Sequence, residues 1–367
     1  MKILFDHQIF TLQIYGGISR YFYELINKFK NYDGMECELS LKHSNNYYLK
    51  KLTNFSCKTF FENYSFKGKY RLLNILNKRT SKKCISKGNY DIFHPTYYDP
   101  YFLEYIGNKP FILTIYDMIH EIYPEMFSSK DNTSKRKKLL AQKAEKIIAI
   151  SENTKKDIIR FFNVNEKKIE VIYLADSMNT GEKIVGMNIS LPKTYILFVG
   201  SRGGYKNFNL FIEAISPMLV KDTEVDVVCI GGGNFKEIEK EKFERLNIAN
   251  KIHQYSVNDN ILAYLYQNAI AFVFPSLYEG FGIPILEAFS CGCPVVASDA
   301  SSLPEVAGEA AIYFDPKSKL SMLSSVEKVI YDKNLRNQLI EKSIQRVREF
   351  SWEKTARKTK KLYEDIL

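Results

Sequence analysis

The chain has 367 residues, a formal net charge of +10 and 45% hydrophobic residues, a size that predicts two domains with separate cores. No run approaches the roughly 18 apolar residues of a membrane-spanning helix, and the start of the chain is too polar for a secretory signal, so we expect a cytoplasmic protein. The positive charge favours polyanions, nucleotide-bearing substrates or an anionic membrane surface. No zinc-finger, helix-turn-helix or RNA-binding motif accompanies the charge, which argues against nucleic acid.

The first half alternates short apolar runs with amphipathic stretches, the pattern of a parallel sheet covered by helices. It predicts a helix at residues 18–30 and strands at residues 2–5, 37–41, 91–93, 111–115, 146–150 and 169–172. Basic residues are densest at 78–87 and 130–146, and residues 134–141 are typical of a basic amphipathic helix. Its exposed side is either a solvated face or a contact with an anionic membrane, and we keep both interpretations.

A polar, glycine-containing stretch at residues 174–193 predicts an interdomain linker. The second half then predicts a helix from residue 207 and strands at 195–199, 225–230, 251–253, 270–274, 294–297 and 311–313. We therefore predict an α/β protein with a first domain at 1–180, a second at 181–350 and an amphipathic helix at 351–367 that packs back on the first domain. Ligands of such doubly wound sheets bind at the carboxyl ends of the strands.

The cysteines carry little information about function. The six show no paired spacing beyond Cys291 and Cys293, and no histidine cluster adjoins that pair. Reduced and mostly buried thiols are therefore expected.

The segment at residues 276–287, SLYEGFGIPILE, is the most informative part of the chain. It places Glu279 and Glu287 eight positions apart, across a glycine-rich loop that opens an apolar helix. Two carboxylates would repel a phosphate, whereas they are strong acceptors for the hydroxyl groups of a sugar. The alternative interpretation is a capped surface helix with two incidental glutamates.

A glycine-rich turn at residues 200–207, GSRGGYKN, follows the first strand of the second half. Arg202 and Lys206 flank its glycines, and two cations with loop N–H groups would match a diphosphate. Neither a Walker sequence nor GxGxxG is present in this turn, which weakens ATP and nicotinamide interpretations. The alternative is a turn whose cations are merely solvated.

Two further glycine turns, at residues 16–17 and 231–233, come at junctions where a nucleotide could approach the backbone. The first would face the diphosphate from the opposite domain. No Asp-x-Asp pair and no His, Asp or Glu spacing suited to magnesium or zinc is found in the sequence. A leaving diphosphate would then be stabilised by cations and amides.

The chain resembles a family 4 glycosyltransferase of the GT-B architecture, a retaining and metal-independent family. The resemblance spans nearly the whole chain through the motifs YGGISRY, FHPTYY, YDMIHEIYPEMF, FVGSRGGYKN, FVFPSLYEGFGIPILEAFSCGCPVVASDASSLPEVAGEAAIYFDP and FSWEKTA. It implies two Rossmann-like domains facing across a cleft, with the C-terminal helix crossing back to the first.

The resemblance also implies the site residues. The predicted catalytic set is Arg202, Lys206, Glu279 and His120, and the predicted donor-binding set is Gly17, Val257, Phe281, Gly282 and Glu287. Glu287 would bind the ribose, Glu279 the transferred sugar, and the two cations the phosphates. The sequence departs from many relatives by carrying Tyr116 before Asp117 in place of a histidine, so either His120 or Tyr116 could contact the sugar.

We accordingly expect transfer of a hexose-type sugar from a UDP- or GDP-linked donor to a hydroxyl of an acceptor glycan that is lipid-linked, in bacterial surface polysaccharide synthesis such as that of O-antigen. The donor is a co-substrate, and no cofactor or metal is expected. Contact with the inner membrane surface is expected, whereas nucleic acid is not. Two alternatives stay open: a sugar-nucleotide epimerase of the same fold, and a non-catalytic protein that binds nucleotide sugars at the membrane surface.

Overall fold

The computed structural model describes residues 1–52, 55, 57–178 and 190–367. These residues form two compact units: unit one contains residues 1–174 and 351–367, and unit two contains residues 175–350. The predicted domain boundary between residues 180 and 181, and much of the predicted linker, lie outside the described residues.

Unit one is built on short parallel strands that form two ladders, ordered β2-β1-β3 and β4-β5-β6. A parallel bridge between Phe93 and Phe111 links the ladders beside β3 and β4. The strands are β1 Lys2–Phe5, β2 Glu36–Leu39, β3 Ile92–His94, β4 Ile112–Ile115, β5 Lys146–Ala149 and β6 Ile169–Val171. The helices are α1 Gln8–Leu12, α2 Gly17–Phe29, α3 Lys69–Lys87, α4 Ile119–Ile122, α5 Thr133–Lys143 and α6 Glu152–Phe162.

Unit two is one parallel sheet of six strands, ordered β12-β11-β10-β7-β8-β9. The strands are β7 Tyr195–Val199, β8 Asp226–Ile230, β9 Ile252–Tyr255, β10 Ala271–Phe274, β11 Val295–Ser298 and β12 Ala311–Phe314. The helices are α7 Phe208–Lys221, α8 Glu237–Arg245, α9 Asp259–Asn268, α10 Ile283–Ser290, α11 Leu303–Ala307, α12 Lys319–Tyr331 and α13 Lys333–Val347. Numbered from β7, this order is 3-2-1-4-5-6, the order of the doubly wound dinucleotide-binding fold.

The central strands of unit two explain why this half of the sequence has such continuous apolar runs. β10 and β11 are buried along their whole length, because helices cover both faces of a parallel sheet. Phe198, Phe208 and Phe211 pack together in the core between β7 and α7. The same burial fixes the strand ends, and with them the positions of the loops that follow.

The C-terminal helix α14, Trp352–Glu364, belongs to unit one. The side chain of Ser351 caps it by accepting from the amide of Lys354. Its apolar face is buried, and the hydroxyl of Tyr363 lies 2.6 Å from Nδ1 of His94 at the end of β3. The helix thus completes the core of unit one.

The predicted fold class is confirmed: both units are α/β and Rossmann-like. Predicted and observed strands differ by at most two residues at their ends, and the strands at Lys2–Phe5 and Tyr195–Val199 coincide with the predicted ranges. For example, the strand predicted at 37–41 is found at Glu36–Leu39, and the one predicted at 251–253 is Ile252–Tyr255. Such differences are expected where a strand frays into a turn.

Candidate active site

The carboxyl edge of the unit-two sheet gathers most of the predicted site residues. The strand order reverses between β7 and β10, which are hydrogen-bonded neighbours. In a doubly wound sheet this switch point leaves a crevice at the carboxyl ends of the two strands, where ligands bind. The loop after β7 contains Arg202 and Lys206, and the loop after β10 contains Glu279.

Lys206 and Glu279 meet across this switch point. The ammonium Nζ of Lys206 lies 2.6 Å from Oε1 of Glu279, and the two side chains are only 15% and 13% exposed. The two loops are also joined through their backbones, since the amide of Leu277 donates to the carbonyl of Tyr205 at 2.7 Å. Lys206 and Glu279, which the sequence singled out for separate roles, therefore form a direct ion pair in this structure.

Two serines hold the loop that contains Glu279. The hydroxyl of Ser301 accepts from the amide of Glu279 at 2.9 Å, and the hydroxyl of Ser302 lies 2.9 Å from the carbonyl oxygens of both Glu279 and Phe281. Ser301 itself has φ of 55°, a left-handed backbone conformation that a residue with a side chain adopts at some cost. The backbone around Glu279 is thus fixed from the neighbouring β11 loop.

Helix α10 begins at the glycine-rich loop, as the sequence predicts. Gly282 precedes it with φ of 112°, and a Cβ atom there would lie 2.9 Å from Cδ2 of Leu303, so the position requires glycine. The Phe281 side chain is buried and packs edge-on against Phe350 with 5.8 Å between ring centroids. Only the backbone of Phe281 is therefore positioned to contact a ligand.

Glu287 lies on α10 and is 7% exposed. The hydroxyl of Tyr266 on α9 donates to its Oε2 at 3.3 Å. Burial, assisted by the nearby Glu287 charge, raises the pKa of Tyr266 well above its ordinary value, so the phenol stays protonated and remains a donor. This contact orients one carboxylate oxygen of Glu287.

Arg202 has protein contacts that the sequence did not predict. Its guanidinium donates to the carbonyl oxygens of Gly231 at 2.7 Å and Gly233 at 2.9 Å, and Nε donates to Oε1 of Glu239 at 2.7 Å. Burial alone would raise the pKa of Glu239, but the hydrogen bonds from Arg202 and from the amide of Lys236, together with the positive charges of both residues, outweigh burial and lower the pKa. Arg202 thus ties the loop after β7 to the glycine turn after β8.

Val257 lies in the loop after β9 and is partly buried. The next residue, Asn258, caps α9 by accepting from the amide of Ile261 at 3.0 Å. The loop that the resemblance assigns to the base therefore leaves the same carboxyl edge as the loops after β7, β8 and β10.

Gly17 and His120 belong to unit one. Gly17 is the first residue of α2, and the amide of Ser19 in the same turn donates to Oε1 of Gln13 at 3.1 Å. His120, on α4, stacks on Phe127 with ring centroids 3.8 Å apart, and its Nε2 lies 3.7 Å from Oδ2 of Asp131. The structure thus places both residues in the other unit from Lys206 and Glu279.

His120 lines a cavity of about 430 Å³ that also contacts Lys135 and Lys138 of α5. Its buried Nδ1 has no hydrogen-bond partner within the described residues. Burial, reinforced by the Lys137 charge, lowers the pKa of His120. The hydroxyl of Tyr116 is also buried and lacks a partner within the same part of the chain.

His94, in the FHPTYY motif, is a structural residue of unit one. Both ring nitrogens are engaged: Nδ1 with Tyr363, and Nε2 with the hydroxyl of Thr114 at 2.9 Å. Complete burial lowers its pKa to about 3, so the ring is neutral at physiological pH.

Sequence reasoning missed the residues that support the site. Glu239, Tyr266, Ser301 and Ser302 each bond a predicted site residue or its loop. Only the two serines had a signal, since they fall within the long motif of the second half. Glu239 and Tyr266 occupy ordinary helical positions, which give no indication of a partner.

The described residues contain neither a candidate metal site nor a helix suited to cross a membrane. Within residues 1–52, 55, 57–178 and 190–367, no group of three or more His, Cys, Asp or Glu side chains is arranged to hold a metal ion. No described helix has both the length and the hydropathy required to cross a bilayer.

Comparison with known proteins identifies similar sequences among glycosyltransferases. Residues 15–175 match the family described as Glycosyltransferase Family 4, and residues 182–346 match Glycosyl transferases group 1. The chain is 30% identical over 287 residues to the O-antigen chain mannosyltransferase B of Escherichia coli, covering 74% of each protein. It is 29% identical over 223 residues, 60% of each protein, to a Campylobacter jejuni N-acetylgalactosaminyltransferase whose name specifies a diphospho-undecaprenol acceptor.

Among solved structures, HepE of Anabaena in complex with UDP-glucose superposes over 100% of both chains with a TM-score of 0.72 at 18% identity. The fold and the two family matches together define a GT-B glycosyltransferase. With the matches in both halves and the 30% identical relative, the chain belongs to glycosyltransferase family 4.

Proposed function

We propose that this chain is a retaining glycosyltransferase that moves a hexose-type sugar from a UDP- or GDP-linked donor to a hydroxyl of a lipid-linked glycan at the cytoplasmic face of the membrane. The product would belong to a bacterial surface polysaccharide such as O-antigen. The names of the two relatives support this proposal, since one is an O-antigen mannosyltransferase and the other acts on a diphospho-undecaprenol acceptor. The UDP-glucose complex of a protein with the same fold supports a nucleotide-sugar donor.

The ion pair between Lys206 and Glu279 at the switch point is the observation that carries the proposal. A ligand at this edge meets a cation suited to a diphosphate beside a carboxylate suited to sugar hydroxyls. Glu287, already oriented by Tyr266, is the acceptor we assign to the ribose hydroxyls. Arg202 acts as a positioning residue, because its donors hold the glycine turn after β8.

In the proposed reaction the bond between the anomeric carbon and the diphosphate oxygen breaks first, leaving a sugar with oxocarbenium character. The acceptor hydroxyl then bonds the anomeric carbon on the same face, and its proton passes to the departing phosphate oxygen. The ammonium of Lys206 stabilises the negative charge that grows on that oxygen. No separate protein base is needed, because the leaving group takes the proton.

The ion pair also suggests how Lys206 and Glu279 are positioned for donor binding. Glu279 and Lys206 neutralise each other within a largely desolvated loop pair. An incoming diphosphate competes for the ammonium, and the carboxylate is released toward the sugar hydroxyls. The contacts needed in the transition state are therefore held near their final positions before the donor arrives.

A thermal-shift screen tests the donor assignment. UDP, GDP and their common sugar conjugates are compared with ADP, and a ligand at 100 times its Kd should stabilise the fold by about 2.7 kcal/mol. We expect either the uridine or the guanosine series to raise Tm and ADP to leave it unchanged. The best donor is then incubated with a lipid-linked acceptor, and NMR of the product should give the same anomeric configuration as the donor. Failure of every diphosphate to raise Tm would remove the proposal.

A further inference from the structure

Unit one exposes a group of large apolar side chains that its own fold leaves uncovered. Among the described residues, 18 large hydrophobic side chains are exposed, and six of them fall within residues 61–75. These six are between 41% and 70% exposed: Phe61, Tyr64, Phe66, Tyr70, Leu72 and Ile75. Isolated exposed apolar residues are common on proteins, but such a concentration in one loop and the helix after it marks an interaction surface.

The loop before α3 is held in place by specific contacts. The ammonium of Lys69 donates to the carbonyl oxygens of Phe61 at 2.7 Å and Tyr64 at 2.8 Å. The rings of Phe61 and Phe66 pack edge-to-face with 5.7 Å between centroids. The loop is therefore ordered by its own contacts, and its aromatic rings are exposed to solvent.

Positive charge surrounds these apolar side chains. Residues 61–87 contain eight lysines and arginines and one acidic residue, Glu62, which pairs with Lys50. Along α3 the exposed residues Leu72, Ile75, Arg79 and Lys83 follow one another at intervals of three and four positions, so they share one helix face. We call the exposed side chains of residues 61–83 the aromatic-basic surface.

We propose that the aromatic-basic surface docks unit one on a bilayer containing anionic phospholipids. Phenylalanine and tyrosine rings favour the headgroup level of a bilayer, and neighbouring lysines and arginines are attracted to anionic lipid. A second copy of this chain would bring two cationic surfaces together, which electrostatic repulsion disfavours. The inference deepens the proposed function, on which it rests for the lipid-borne acceptor, by assigning the membrane contact to α3 and its preceding loop.

The basic helix α5, which the sequence suggested for membrane contact, is less suited to it. Lys137 is fully buried, with its ammonium 2.7 Å from Oε2 of Glu121. Lys135, Arg136 and Lys138 are exposed, but Leu139, at 38%, is the one large apolar side chain that α5 exposes. The helix offers charge without an apolar face, which makes it a matched control.

The test is co-sedimentation of the full chain with vesicles of 70% phosphatidylcholine and 30% phosphatidylglycerol, or of phosphatidylcholine alone. The charge variant is Arg71→Glu with Arg79→Glu and Lys83→Glu, and the aromatic variant is Phe61→Ser with Tyr64→Ser and Phe66→Ser. The control, Lys135→Glu with Arg136→Glu and Lys138→Glu, reverses the same number of charges on α5. We expect wild type to bind anionic vesicles at least tenfold better than neutral ones, and each surface variant to lose about tenfold or more.

The α5 control should bind within threefold of wild type. Wild-type protein that stays in the supernatant with anionic vesicles would overturn the proposal, as would a control that loses as much binding as the α3 charge variant. Circular dichroism and Tm establish that the variants fold. Nucleotide binding, measured on the same proteins without vesicles, separates the two proposals: its retention in a variant that no longer sediments supports the docking surface, whereas its absence in wild type would remove only the proposed function.

Discussion

The ammonium of Lys206 and the carboxylate of Glu279 lie 2.6 Å apart and join the loops that leave two adjacent strands where the strand order of unit two reverses. Desolvating two charges is costly, and a largely buried ion pair is often no more stabilising than an apolar pair. We therefore interpret this pair as groups prepared for a ligand. Its neighbours, the glycine turn held by Arg202 and the oriented Glu287, occupy the same edge of the sheet.

Glu287→Ala should weaken nucleotide binding by about 10- to 100-fold, the usual cost of a lost hydrogen bond to a charged group. Isothermal titration calorimetry with the cognate nucleoside diphosphate measures this loss. The ribose assignment is checked with a 2′,3′-dideoxy analogue: wild type should prefer the natural nucleotide, and Glu287→Ala should not discriminate between the two. A variant that keeps the full wild-type preference for the ribose hydroxyls would show that Glu287 does not bind them.

Arg202→Lys should lower nucleotide affinity and Tm nearly as much as Arg202→Ala. Lysine keeps the charge, but a single ammonium cannot reproduce the planar set of donors that reaches Gly231, Gly233 and Glu239. Calorimetry and thermal melting of both variants test this expectation. Recovery of affinity by lysine would instead identify Arg202 as a charge that contacts phosphate.

Acidification should destabilise unit one through His94. Its pKa of about 3 in the folded protein lies below the ordinary value of about 6.5, so the unfolded chain binds a proton as pH falls below 6.5 and the folded protein does not. The stability contributed by the neutral ring is complete above pH 6.5 and is lost as pH falls toward 3. Between pH 7 and pH 5 this effect is on the order of 2 kcal/mol.

His94→Gln should therefore be less stable than wild type at pH 7, since it loses contacts to Tyr363 and Thr114. It should also lose less stability than wild type between pH 7 and pH 5. Urea unfolding at both values gives the comparison. An equal acid-induced loss in both proteins would show that the neutral state of His94 does not contribute.

Removal of divalent metals should leave the rate of sugar transfer unchanged, because in our proposal Lys206 and loop amides stabilise the negative charge of the leaving diphosphate. Initial rates in 5 mM EDTA are compared with rates in buffer, and the two should agree within twofold. A rate abolished by EDTA and restored by magnesium or manganese would require a metal in the reaction.

Much of this architecture follows from local sequence. The run at Tyr195–Val199 is buried on both sides and reads as a strand, and the glycines after it predict the turn. Glu279 and Glu287 could be selected because they belong to one short segment around a helix start. The apolar face of α14 likewise indicates a buried helix, since Trp352, Ala356 and Leu362 recur on one side.

The contacts that are distant in sequence could not be predicted in the same way. Glu239 is 37 positions from Arg202, and its role depends on where α8 packs relative to β7. Lys137 belongs to a run of cations that reads as exposed, yet tertiary packing buries it against Glu121. Periodicity predicts which face of a helix is buried. The side chains that this face contacts depend on how helices and strands pack together, and a single sequence contains no direct signal for that packing.

The rate of transfer by Lys206→Ala, measured at saturating donor and acceptor, tests the central claim most directly. Lys251→Ala is the matched control, because Lys251 pairs with Asp226 at 3.0 Å, the side chains are 12% and 17% exposed, and the pair lies at the amino ends of β8 and β9. We predict a fall in kcat of about 10²-fold or more for Lys206→Ala. The control should keep wild-type kcat with a similar change in Tm. A Lys206→Ala enzyme that turns over as fast as wild type would contradict the account.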